Sequence, residues 1–185
     1  MSTKVEATID DLYKVEGKAE LVNGEILIMS PTGLLPNYAA GEIFTSLRKY
    51  SKQQKLGYAM ADNVAYTVNL PHRKSFSPDV SLYIGELTMK FAEGAPVFAV
   101  EVRSEGDYGA RAERNMAKKR DDYFATGTLV VWDVDLGSDD VIRVYHATNP
   151  AAPVIYRRGE LAGAEPAVPG WTMPVDDLFP EDAEG

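Results

Sequence analysis

The chain has 185 residues, 45% of them apolar and 25% charged, with a formal net charge of -9, no cysteine and two histidines. This fits one soluble globular domain with a sizeable core, and it excludes disulfides, thiolate metal sites and a cysteine nucleophile, while a zinc centre built from the two histidines would need further ligands. The charge argues against coating nucleic acid by bulk electrostatics. With no apolar signal core at the start and no run of roughly 20 apolar residues, no membrane association and a cytoplasmic location are expected.

Thr8 is placed to cap a short helix with acids in its first turn, Asp10 and Asp11, ended by Gly17. Residues 19–29 read as a β-hairpin, because Asn23-Gly24 supplies the positive φ angles of a two-residue turn. After the turn Ser30-Pro31-Thr32-Gly33, a helix is predicted over about 36–54. Its apolar residues Tyr38, Ala39, Ile43, Phe44, Leu47 and Tyr50 share one face. Strands follow at 58–60 and 64–68, then a polar loop at 71–75. A strand opened by Asp79, a helix or loop over 85–92, and a strand over 97–102 come next. Residues 110–126 are a strong helix closed by Gly127, and strands at 128–134 and 141–145 pair across the 137–140 turn. Beyond Pro150 the chain reads as a polar elaboration with a late strand at 154–156. Trp171 and Met173 dock the end onto the body, and the last residues fray. The order predicts an α/β or α+β sheet with helices packed on it, in a single domain spanning 1–185.

Two carboxylates stand out. Asp79 follows Pro78 and opens Val80-Ser81-Leu82-Tyr83, and Glu101 sits inside Val97–Arg103, where an unpaired charge is costly. Acids on neighbouring strands can share a hard cation. Arg103 alternates with Glu101 and so lies on the same strand face. In the following helix, Ala112, Met116, Lys119 and Tyr123 form one stripe, so Lys119 either reaches the acids or runs its stem along the body and surfaces in solvent. Arg111, Arg114, Lys118 and Arg120 form a local basic window, which is either a nucleic-acid contact or a solvated helix face. Asp79 could instead cap a turn, Glu101 could be a structural ion pair, and Glu20 an exposed strand acid.

Glu20-Leu21-Val22-Asn23-Gly24-Glu25-Ile26, Ser30-Pro31-Thr32-Gly33, Ser77-Pro78-Asp79-Val80, Val100-Glu101-Val102-Arg103-Ser104, Lys119-Arg120-x-x-Tyr123 and residues 127–133 occur in this order and cover about residues 19–146. The pattern resembles the PD-(D/E)XK nuclease superfamily, and within it a bacterial family of restriction-endonuclease-like proteins. The resemblance implies a mixed β-sheet flanked by helices, with an N-terminal hairpin and a magnesium- or manganese-dependent site for DNA phosphodiester hydrolysis. Asp79 and Glu101 would be metal ligands, with the Val102 carbonyl as a third and Glu20 as a further acid. Arg103 stands where the superfamily has its lysine. It can clamp phosphate but cannot be a base, and Lys119 matches the position to which the lysine role moves in this family. A homodimer is expected, since one site cuts one strand. The alternative is a catalytically weak nuclease-fold protein that acts as a nucleic-acid-binding or dimeric interaction module.

Overall fold

The computed structural model describes residues 5–181; the fraying expected of the last residues falls at 182–185, outside them. The elements in chain order are α1 (Ile9–Leu12), β1 (Ala19–Val22), β2 (Glu25–Ile28), α2 (Leu34–Gln54), β3 (Tyr58–Met60), β4 (Tyr66–Thr67), β5 (Ser75–Phe76), β6 (Val80–Tyr83), β7 (Ala92–Glu93), β8 (Phe98–Val102), α3 (Ala110–Ala125), β9 (Val130–Val134), β10 (Ile142–His146), β11 (Asn149–Tyr156), β12 (Leu161–Ala164) and β13 (Val168–Pro174), then a 3-10 turn at Val175–Leu178. Thr8 caps α1 through a reciprocal pair of bonds with Asp11. Asn23 and Gly24 hold the positive φ angles that close the β1–β2 hairpin.

The central sheet has six strands in the order β11-β10-β9-β8-β6-β3. Only the β8–β9 pair is parallel, which α3 makes possible by crossing over between them. Period-two alternation gives the sheet two different faces. One carries Val80, Leu82, Phe98, Val100, Trp132, Val134, Ile142 and Val144, all buried against Ala39, Ile43 and Leu47 of α2. The other carries Ala99 and Val131, which pack with Tyr66, Phe76 and Tyr123 beneath α3. Glu101 and Asp133 belong to this second face, two residues beyond Ala99 and Val131.

Two expectations change. The loop at 71–75 is no free connection: Lys74 N–H donates to Leu21 O, Leu21 N–H to Ser75 Oγ and Asn23 N–H to His72 O. These bonds stitch the hairpin to the strands leading to Asp79. The segment after Pro150 is also more than a polar elaboration. β11 extends the sheet from Asn149, and the β12–β13 hairpin covers the α2 face. Trp171 stacks on Trp132 at 5.1 Å, with Phe98 edge-on to both, and Met173 is buried. The sequence signal was weak because Val154, Ile155 and Leu161 are exposed. No helix among the described residues is long and apolar enough to cross a membrane.

Candidate active site

The acids come from neighbouring strands. β6 and β8 pair antiparallel with Ser81 opposite Ala99 and Val80 opposite Val100. One further step in that register sets Asp79 across from Glu101, on the α3 face. Asp79 is pinned there. Its N–H donates to Val100 O, and its Oδ2 accepts the Val102 N–H at 2.7 Å.

Lys119 resolves the ambiguity of the α3 stripe. Its Nζ lies 2.7 Å from Glu101 Oε1 and 2.8 Å from Glu20 Oε1, and its side chain is only 15% exposed. Tyr123, one turn on, donates its hydroxyl to the same Glu101 oxygen at 2.7 Å and stacks on Phe76 at 4.0 Å. The helix is therefore anchored by an aromatic at one level and delivers its ammonium at the next.

Glu20 is fully engaged. Oε1 accepts the Ser77 N–H and the Lys119 ammonium, and Oε2 accepts Arg73 Nη1 at 2.7 Å. Arg73 also bonds Asp122 Oδ2, and His72 Nε2 meets Asp122 Oδ1 at 2.6 Å. These residues form a largely buried chain from the hairpin to α3.

The electrostatics differ from acid to acid. Burial opposes ionisation of Glu20, but the charges of Lys119 and Arg73 outweigh it and hold its carboxyl below the usual range. Glu101 goes the other way. Burial raises it and the negative charges of Asp79 and Glu20 add to the rise, which Lys119 and Lys18 only partly offset. Burial works against the charged form of Lys119, yet Glu101 and Glu20 raise its affinity for its proton, so it stays an ammonium ion.

Lys18 and Asp62 also belong to this site. Lys18 Nζ lies 2.6 Å from Asp79 Oδ1 and 2.7 Å from Asp62 Oδ1. Sequence reasoning passed over Lys18 although a signal was there: it stands two residues before Glu20, so alternation along β1 puts both on one face. Asp62 and Asp122 gave no comparable signal, because loop and helix contacts 40 or more residues apart leave no local pattern.

Arg103 keeps the strand face it shares with Glu101, but its guanidinium is taken by others. It bonds both oxygens of Asp133 at 2.8 Å and also pairs with Glu113. Bidentate pairing is the strongest geometry open to it. The Asp133 and Glu113 bonds hold it charged against the cost of burial. The basic window divides. Arg111, Arg114 and Lys118 are exposed at helical spacing on one face, whereas Arg120 turns inward, 3.9 Å above the Tyr145 ring and 3.5 Å from Asp133. Among the described residues no group of three or more His, Cys, Asp or Glu side chains is gathered as a metal cage.

A family model described as "Uma2: Putative restriction endonuclease" matches residues 8–176. Among solved structures, the chain is similar to a "putative nuclease belonging to DUF820" from Anabaena variabilis. The TM-score is 0.74 at 19% identity, covering 93% of this chain and 97% of that one. That likeness establishes the restriction-endonuclease-like fold. No curated protein matches.

Proposed function

The chain belongs to the Uma2 family of putative restriction endonucleases, and from that premise we propose that it hydrolyses DNA phosphodiester bonds with the help of magnesium or manganese. The observation that carries the proposal is the Lys119 ammonium between Glu20 and Glu101, on the face where register sets Asp79 across from Glu101.

The donor set suits such an ion. Its groups are hard oxygens, and burial together with the negative charges of Asp79 and Glu20 opposes the anion of Glu101, a cost that a bound cation would relieve. Magnesium takes one or two carboxylates and completes its shell with waters and phosphate oxygens, so a three-acid cage is not required. Asp79 and Glu101 would hold it, with the Val102 carbonyl as a further ligand. When bound, it supplies a water of lowered pKa and charge neutralisation at the phosphate.

The protein's own residues do the rest. Lys119, held protonated, acts as a fixed positive charge towards the scissile phosphate rather than as a base. Glu20 fixes Lys119 and leaves ligation to the other two acids. Tyr123 orients Glu101. Arg103, committed to Asp133 and Glu113, serves the site by holding the end of β8 to β9. Arg111, Arg114 and Lys118 are available to neighbouring backbone phosphates, with Arg120 behind them. Since one site cuts one strand, double-strand cleavage would use a homodimer.

The test is nicking of supercoiled plasmid with and without Mg2+ or Mn2+. Cation-dependent nicking that falls at least a hundredfold in Asp79→Ala is expected. Calorimetric cation binding with no cleavage of DNA or RNA would favour instead a nucleic-acid-binding module, the reading that Arg103's engagement with Asp133 and Glu113 supports.

A further inference from the structure

Asp79 has two oxygens and two protein partners. Oδ2 is fixed by the Val102 N–H, and Oδ1 carries the Lys18 ammonium at 2.6 Å. A cation taking up Asp79 therefore meets a resident positive charge on the one oxygen that the backbone leaves free. Lys18 is well placed to yield. Its backbone is fixed, since Lys18 O accepts the Met29 N–H at 2.9 Å, while its flexible side chain also reaches Asp62 Oδ1 at 2.7 Å. Asp62 is a prepared partner. Its Oδ1 also accepts the Asn63 N–H at 2.8 Å, and its side chain is 48% exposed, away from the buried end of the site.

Charge counting agrees. Glu20, Asp62, Asp79 and Glu101 stand against Lys18 and Lys119, with Arg73 matched by Asp122. Taken as ionised, they leave two negative charges, the complement of one divalent ion. Without Lys18 the excess would be three.

We propose that Lys18 is a built-in counter-ion that competes with the divalent cation for Asp79, and that Asp62 is the seat to which its ammonium withdraws when the cation binds. Lys18 is thus a positioning residue: it holds Asp79 in place before the ion binds and sets how tightly the ion is held. The inference rests on the cation reading of the Asp79–Glu101 pair.

The experiment is calorimetric titration of the full chain with Mn2+. Lys18→Met should tighten binding on the order of tenfold, the effect of removing one nearby positive charge, and Lys18→Arg should bind as the parent does. Asp62→Asn should weaken binding several-fold, because Lys18 loses its second seat, and the loss should shrink in the Lys18→Met/Asp62→Asn double variant. Equal or weaker binding by Lys18→Met overturns the proposal while leaving the cation reading intact. An Asp62→Asn loss that persists in full in the double variant makes Asp62 a simple ligand and removes the seat. No binding by any of the proteins overturns both readings. Asp62→Asn alters an exposed group and the parent chain needs no alteration, so a Lys18→Met variant that fails to fold does not end the test. In the parent, the Lys18 15Nζ signal must move at Mg2+ concentrations that move the Glu101 carboxyl signal, and a stationary Lys18 signal overturns the proposal.

Discussion

At the scale of single residues, polar groups buried on the α3 face are tied to neighbours, as the Tyr123 hydroxyl is to Glu101. Tyr66 is one such group: fully buried, it shares a hydrogen bond with Ser81 Oγ at 2.7 Å, in the strand that follows Asp79. Burial pushes its hydroxyl from 10.0 up to about 12, with Ser81 opposing the shift and Tyr83 adding to it. The folded state thus keeps a proton that the unfolded chain has already lost. Stability from this source is whole below pH 10 and is lost as pH climbs through about 12, to a total of about 3 kcal/mol. Urea denaturation across pH 9–12 should show this decline, and Tyr66→Phe should lessen it even though the variant is less stable at neutral pH, the remainder coming from Tyr123, Lys18 and Lys119, whose protons the fold also holds more tightly. A decline of the same size in the variant would place its origin elsewhere.

At the scale of elements, what matters is how strand and helix ends are held. Gly57 links α2 to β3 at a φ of +111°, and a Cβ there would stand 2.6 Å from the Tyr83 carbonyl oxygen. Tyr83 pairs with Tyr58 at the far end of the strand that Asp79 opens. Gly57→Ala therefore combines backbone strain with a clash against backbone, and should cost about 2–4 kcal/mol in chemical denaturation. Gly127→Ala, at φ +108° with open space around it, should cost less, about 1–2 kcal/mol of backbone strain alone. The long elements were legible because their signals are local. Asn23-Gly24 announces a turn, and the apolar spacing of residues 38–50 and 112–123 announces helices. β5, β7 and β12 were not, because two- and four-residue strands with one polar or small partner carry no period of their own. The same division holds at the site. Asp79, Glu101 and Lys119 could be named from flanking strand and stripe patterns. Asp62, Arg73 and Asp122 come from loops and a helix end, and are joined only by the folded chain.

At the scale of the molecule, the sheet is closed on its α2 side by the β12–β13 hairpin together with α2. Trp132 donates its indole N–H to Gly163 O, and Trp171 donates to Ser46 Oγ on α2. The stacked pair therefore bonds in two directions as well as filling the core. Trp171→Ala should cost about 3–5 kcal/mol, the range for a deleted core aromatic. Thermal melting should reveal this as a large fall in Tm, and Trp171→Phe should recover most of it. A shift of under a degree would mean that the late hairpin is only loosely applied.

The two faces of β8 carry different duties on alternate residues: Phe98, Val100 and Val102 belong to the apolar core, while Ala99 and Glu101 look toward α3. The main core and the candidate site are thus interleaved in sequence yet separated in space by the thickness of one sheet. An experimenter wishing to probe the candidate site has a simple grammar to follow. Changes at positions 79 and 101 address the candidate site, whereas Ser81 and Ala99, fully buried on the same face, belong with the apolar residues of the other face to the survival of the fold. A library that randomises whole stretches confounds the two, whereas one confined to positions 79 and 101 varies the candidate site and leaves both packed faces of the sheet in place.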